Sequence, residues 1–221
     1  MMTSSSKYSV RTLFALLLFL FVSIVVAAQS PAQKPEFAEK IATQALLKQL
    51  QNGGLVIYMR HGYTDNHRPD QAPKVDLADC TTQRVLNQQG INITTQVGHY
   101  LRQAQIPIGE VFSSPMCRAK DSAKNAFGKF TVDNNLMYYG AMTSAEKKPV
   151  IANTQRLVST PVAAGSNRVV VAHAPNMVDL INYFPEEATL VIFEPLDNGQ
   201  FDYLGSIRPK DWPALLQSLT P

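Results

Sequence analysis

An arginine and a histidine close a run of apolar and β-branched residues at Leu55-Val56-Ile57-Tyr58-Met59-Arg60-His61-Gly62. Such a run predicts a buried strand, and ending it on two polar side chains puts both at a strand terminus. In open α/β sheets the carboxyl ends of the strands are where ligands sit. A guanidinium beside an imidazole at that place suits phosphoryl chemistry, the cation holding the group while a ring nitrogen attacks it. Two later junctions repeat the pattern. Val111-Phe112 runs into Ser113-Ser114-Pro115-Met116-Cys117-Arg118, and Val169-Val170-Val171 runs into Ala172-His173-Ala174-Pro175-Asn176. If the three strands are parallel, Arg60, His61, Arg118 and His173 meet at one sheet edge. Pro115 and Pro175 each suggest the first position of a helix, where free N–H groups and the helix dipole favour an anion. Together these groups make an oxyanion cage. Taken alone, the Arg-His pair reads equally well as a solvated strand end, so convergence is what makes the signal specific.

The elements needed to hold these residues are legible around them. Phe37 to Gln51 has helical spacing of Ile41, Leu46, Leu47 and Leu50, stopped by Gly53-Gly54. Strand one spans Leu55 to Met59, and Gly62 to Cys80 is a Pro/Asp-rich loop long enough to suspect function. Thr82 to Gln105 predicts a helix, interrupted near Gly90. A short strand over Val111 to Ser113 leads to a helix ending at Phe127, and Thr131-Val132 is a further short strand. Asn134 to Lys148 is irregular, and Pro149 to Val162 predicts a helix. Strands follow at Arg168 to Ala172, Leu190 to Phe193 and Phe201 to Ile207, and Lys210 to Leu219 predicts a closing helix. Alternating strands and helices imply an α/β fold, a three-layer α/β/α sandwich with a mostly parallel central sheet.

The N-terminus reads as a leader. Lys7 and Arg11 precede an apolar run from Thr12 to Ala28 that ends in Val26-Ala27-Ala28, the pattern of a signal peptide cut before Gln29. The alternative is an uncleaved membrane anchor. The expected organisation is a signal peptide over 1–28, a tether and helix over 29–53, and one globular domain over 54–221. Such a chain is exported, to the periplasm, without stable membrane insertion once the leader is gone. The 221-residue chain carries a net charge of +3; without the leader it has 18 basic and 17 acidic side chains. No basic block remains to suggest nucleic acid as a partner. His67 and His99 lack ligand spacing, so no metal site is expected. Tyr138-Tyr139 and Trp212 read as core or rim packing.

The three junctions resemble, in order and spacing, the motifs of the histidine phosphatase superfamily (phosphoglycerate-mutase-like). Leu86-Asn87-Gln88-Gln89-Gly90 is similar to that family's Leu-Thr-x-x-Gly helix. The resemblance covers the chain from Leu55 onward and is closest to the small members without a cap. It implies that His61 is a nucleophile forming a phosphohistidine, that Arg60 and Arg118 bind phosphoryl oxygens, and that His173 adds a donor. It implies neither metal nor cofactor. The sequence departs from the family at the general acid. One branch carries Glu in a Leu-x-Glu context where this chain has Tyr138, and another carries Asp where this chain has Ala174. Glu187 is the first choice for that acid and Asp65 the second, each weighed against a solvated loop carboxylate. The expected activity is hydrolysis of a phosphomonoester, from a small metabolite or an envelope phosphosugar. A phosphomutase and a non-catalytic phosphoryl-binding or sensor protein are the rivals. Cys80 and Cys117 form an even pair, which in an exported chain suggests a disulfide, the alternative being two separate buried thiols. Bridged, they would pin the arginine-bearing turn to the loop that begins at His61.

Overall fold

A computed structural model describes residues 36–71 and 75–219; the leader and the start of the tether lie outside the described residues. Its frame is a six-stranded sheet in the order β3-β2-β4-β1-β5-β6. The strands are β1 (Val56–Arg60), β2 (Ile108–Ser113), β3 (Thr131–Val132), β4 (Asn167–Ala172), β5 (Leu190–Pro195) and β6 (Phe201–Ile207). The first four are mutually parallel where paired, and β5 runs antiparallel to both of its neighbours, β1 and the edge strand β6. The helices are α1 (Gln44–Asn52), α2 (Gln88–Gln103), α3 (Cys117–Phe127), α4 (Ser144–Ser159), α5 (Ala174–Ile181) and α6 (Trp212–Ser218).

Alternation along the strands builds two cores. Ile57, Met59, Val169 and Val171 face a cluster with Leu47, Leu50, Val97, Ala123 and Trp212, from α1, α2, α3 and α6. Val56, Tyr58 and Val170 face the other way, onto Leu157 and Val158 of α4 and Met177 of α5. A strand buried on both faces reads as a continuous apolar run, which is why β1 and β4 are so plain in the sequence. The result is a three-layer sandwich.

Several boundaries differ from expectation. The first helix begins at Gln44, capped by Thr43, whose side chain accepts from Leu46 N. The stretch expected to open it pairs instead with β6: Ala42 N donates to Ser206 O and Ser206 N to Lys40 O. Ile41 is accordingly exposed. Leu47 and Leu50 are fully buried in the larger cluster, so α1 is part of the domain's core. Helix α2 starts at Gln88 because Asn87 caps it, accepting from Gly90 N. Gly90 therefore lies in the first turn and does not interrupt the helix. Helix α4 starts earlier than expected and contains Pro149, because Thr143 and Glu146 form a reciprocal capping box ahead of it. Neither proline is the first helical residue. Pro115 precedes the α3 cap, Met116, and Pro175 is the second residue of α5, capped by His173.

Candidate active site

Strand register brings the three junctions together. Arg60 pairs with Ala172, and Ser113 with Val171, across the parallel neighbours β1, β4 and β2. The next residue of each strand, His61, Ser114 or His173, then emerges at the same sheet edge. Arg118, in the first turn of α3, joins them. The rings of His61 and His173 lie 5.3 Å apart, edge to face. All four predicted residues are buried, and Arg118 completely.

Each side chain is aimed by its neighbours. His61 Nδ1 lies 2.8 Å from the carbonyl of Gly62 and can only donate to it, which leaves Nε2 as the unprotonated nitrogen of a neutral ring. Burial, and then the Arg118 charge, hold the His61 pKa well below the ordinary range, against the opposing pull of the Gly62 hydrogen bond. His173 is lowered in the same way, by burial first and then by Arg118 and His61. Its Nε2 meets Ser114 Oγ at 2.8 Å. Its backbone is clamped by Tyr58, whose hydroxyl donates to His173 O at 2.7 Å and accepts from His173 N at 2.9 Å. Gly62 N donates to Ser122 Oγ, which in turn donates to Arg118 O, tying the loop that follows β1 to the helix that carries Arg118.

The two guanidinium groups are gripped from behind. Arg60 donates from Nη1 to Pro185 O at 2.6 Å and from Nη2 to Glu187 Oε1 at 2.7 Å. Arg118 uses Nη1 on both oxygens of Asp70, at 2.9 and 3.2 Å. Burial opposes the charge of each, and Glu187 and Asp70 counter it. What remains is a set of buried nitrogens without a protein partner: Arg60 Nε, Arg118 Nε and Nη2, Arg84 Nε, and His173 Nδ1. Unmet buried polar groups cost roughly 1–3 kcal/mol each, so their gathering beside one imidazole marks a place for an anion.

The carboxyls considered as acids are placed as follows. Glu187 is engaged by Arg60 as an ion pair. Asp65 accepts from His67 N in a local turn. Tyr138 differs from its reading as packing: the Arg118 guanidinium lies over its ring at 5.0 Å and the His173 ring meets it edge to face at 5.3 Å, so it borders the cage. Cys80 and Cys117 are bonded, their Cα atoms 5.8 Å apart. Gln83 adds a second tie, its side-chain oxygen accepting from Cys117 N.

Sequence reasoning missed Arg84, Asp70 and Tyr58. Arg84 and Asp70 sit in segments without periodicity. Tyr58 looks like one more apolar residue of a strand, and only its position two residues before Arg60 hinted at more.

No protein-family model matches the chain, and no curated protein does. Solved structures do match. A structure of the protein histidine phosphatase SixA complexed with tungstate is 17% identical, covering 71% of this chain and 98% of that one, with a TM-score of 0.50. Phosphoserine phosphatase from Entamoeba histolytica, in complex with 3-phosphoglyceric acid, is 13% identical over 70% of this chain and 96% of its own, with a TM-score of 0.45. The chain has the fold of the histidine phosphatase, or phosphoglycerate-mutase-like, superfamily.

Proposed function

We propose that the protein is an exported phosphatase that hydrolyses phosphomonoesters through a phosphohistidine on His61. The observation that carries this reading is the cluster of unpartnered buried donors around an imidazole whose Nδ1 is already committed. The neutral Nε2 attacks phosphorus, an N–P bond forms, and the bond to the leaving oxygen breaks. Charge on the equatorial oxygens is met by Arg60 Nε, Arg118 Nε and Nη2, and His173 Nδ1. In this reading Ser114 Oγ donates to His173 Nε2 and the ring carries its own proton on Nδ1, toward the phosphoryl group. Water then attacks phosphorus as the N–P bond breaks, returning a neutral His61 and releasing hydrogen phosphate; one water proton stays on the phosphate and the other passes through solvent to the departed oxygen.

The fold it shares with a protein histidine phosphatase supports the same reading. The substrate is a small metabolite ester or an envelope phosphosugar. With Glu187 held by Arg60 no general acid is assigned, so esters of strongly basic alcohols are turned over slowly and those whose leaving group departs unprotonated are favoured. Export rests on the Lys7-Arg11 and Thr12–Ala28 pattern and is supported by the bonded cysteines, which persist in oxidising compartments. Purified protein should hydrolyse p-nitrophenyl phosphate, and His61→Ala should abolish both turnover and an acid-labile phosphoprotein intermediate. Turnover surviving in His61→Ala would refute the mechanism. Phosphate-ligand binding without turnover in the natural sequence would instead favour the sensor.

A further inference from the structure

Beside the cage lies a cleft of about 890 Å³ whose described lining includes Met116, Met137, Met142, Leu77 and the ring of Tyr138. Two of its lining residues touch Arg118. Tyr138 stacks on Arg118 and lines the cleft, and Asp70 both grips Arg118 and lines it. An ester whose phosphoryl group sits on Arg118 therefore has this cleft beside it for the rest of the molecule.

The chemistry of the walls is uneven. Three methionine side chains offer polarizable, adaptable apolar surface, well suited to rings. The charged groups among the described lining residues are all carboxylates: Asp70, Asp76 and Glu146. A second phosphate or a carboxylate on the leaving group would meet like charge there, with no cation among the described lining residues. From this we infer, resting on the phosphatase reading above, that the substrate's leaving group is apolar or aromatic and carries no negative charge. Bisphosphorylated metabolites and acidic phosphosugars are excluded, and the methionine-lined cleft selects among phosphomonoesters.

The test compares two phosphonates of equal charge, phenethylphosphonate and ethylphosphonate, by titration calorimetry on the purified full-length protein. The phenyl ligand should bind about tenfold tighter or more, from burial of its ring. Ala141, an exposed residue of the cleft wall, provides a steric probe. Ala141→Trp should reduce the ratio between the two affinities severalfold, with circular dichroism checking that the fold is retained. Equal affinities, or a preference for a ligand with a second anionic group such as 3-phosphonopropionate, would overturn the inference. Hydrolysis of p-nitrophenyl phosphate in the same preparation reports separately on the phosphatase reading. Loss of turnover with the phenyl preference intact would sink that reading and leave the cleft's selectivity standing.

Discussion

Arg118 shows what a single side chain does here. One of its nitrogens is spent on Asp70, and two more are buried without a protein partner. A lysine has one nitrogen and cannot do both. Arg118→Lys should therefore lower kcat/KM on p-nitrophenyl phosphate by about a hundredfold while keeping the charge. A loss under threefold would mean that charge alone suffices. Arg118, Arg60, His61 and His173 are legible in the sequence because each follows a recognisable strand or a Ser-Pro turn. Asp70 and Arg84 are not. Asp70 lies 48 positions from Arg118, in a loop with no periodicity, and nothing local betrays a partner so distant.

Helix α2 must press its first turn against the loop that follows His61. A Cβ on Gly90 would lie 2.0 Å from Tyr63 O, and one on Gly62 would strike Gly90 O at 2.8 Å. The glycines serve close approach here, since neither has a positive φ. Gly90→Ala should push α2 away from the loop, lowering stability by about 1–3 kcal/mol in urea titration, and lower turnover with it. An unchanged midpoint would mean that the helix can shift freely. The Cys80–Cys117 bond, with a sequence separation of 37, ties that loop to α3. Replacing both cysteines by serine should cost roughly 3–4 kcal/mol on the loop-closure argument. It should also lower kcat/KM, because Arg118 is the next residue after Cys117. Serines at both positions with full activity would show that Gln83 and Asp70 hold the turn unaided.

Across the whole domain, two buried imidazoles make stability depend on pH. Both are held below the ordinary histidine range, chiefly by burial. Below about pH 6.5 the unfolded chain takes up protons that the folded one refuses. Their contribution is thus complete above about pH 6.5 and is lost as the medium is acidified through the lowered folded values. The urea midpoint should be lower at about pH 5.5 than at about pH 7.5, and His61→Asn with His173→Asn should remove most of the difference. A difference of the same size in that double variant would assign it to other groups.

Three parallel strands, each handing a cation or an imidazole to a turn, can be read from residue order, because buried strands and their polar ends are local patterns. The same holds for the α/β alternation and for β6, found at its expected limits. The entry into α1, the grip of Asp70 and Glu187 on the two arginines, and the cleft beside them cannot be read that way. They depend on which segments become neighbours once the sheet has formed. Lys40 and Ala42 leave the helix because Ser206 offers hydrogen bonds, and a carboxylate binds an arginine only where packing sets it within reach.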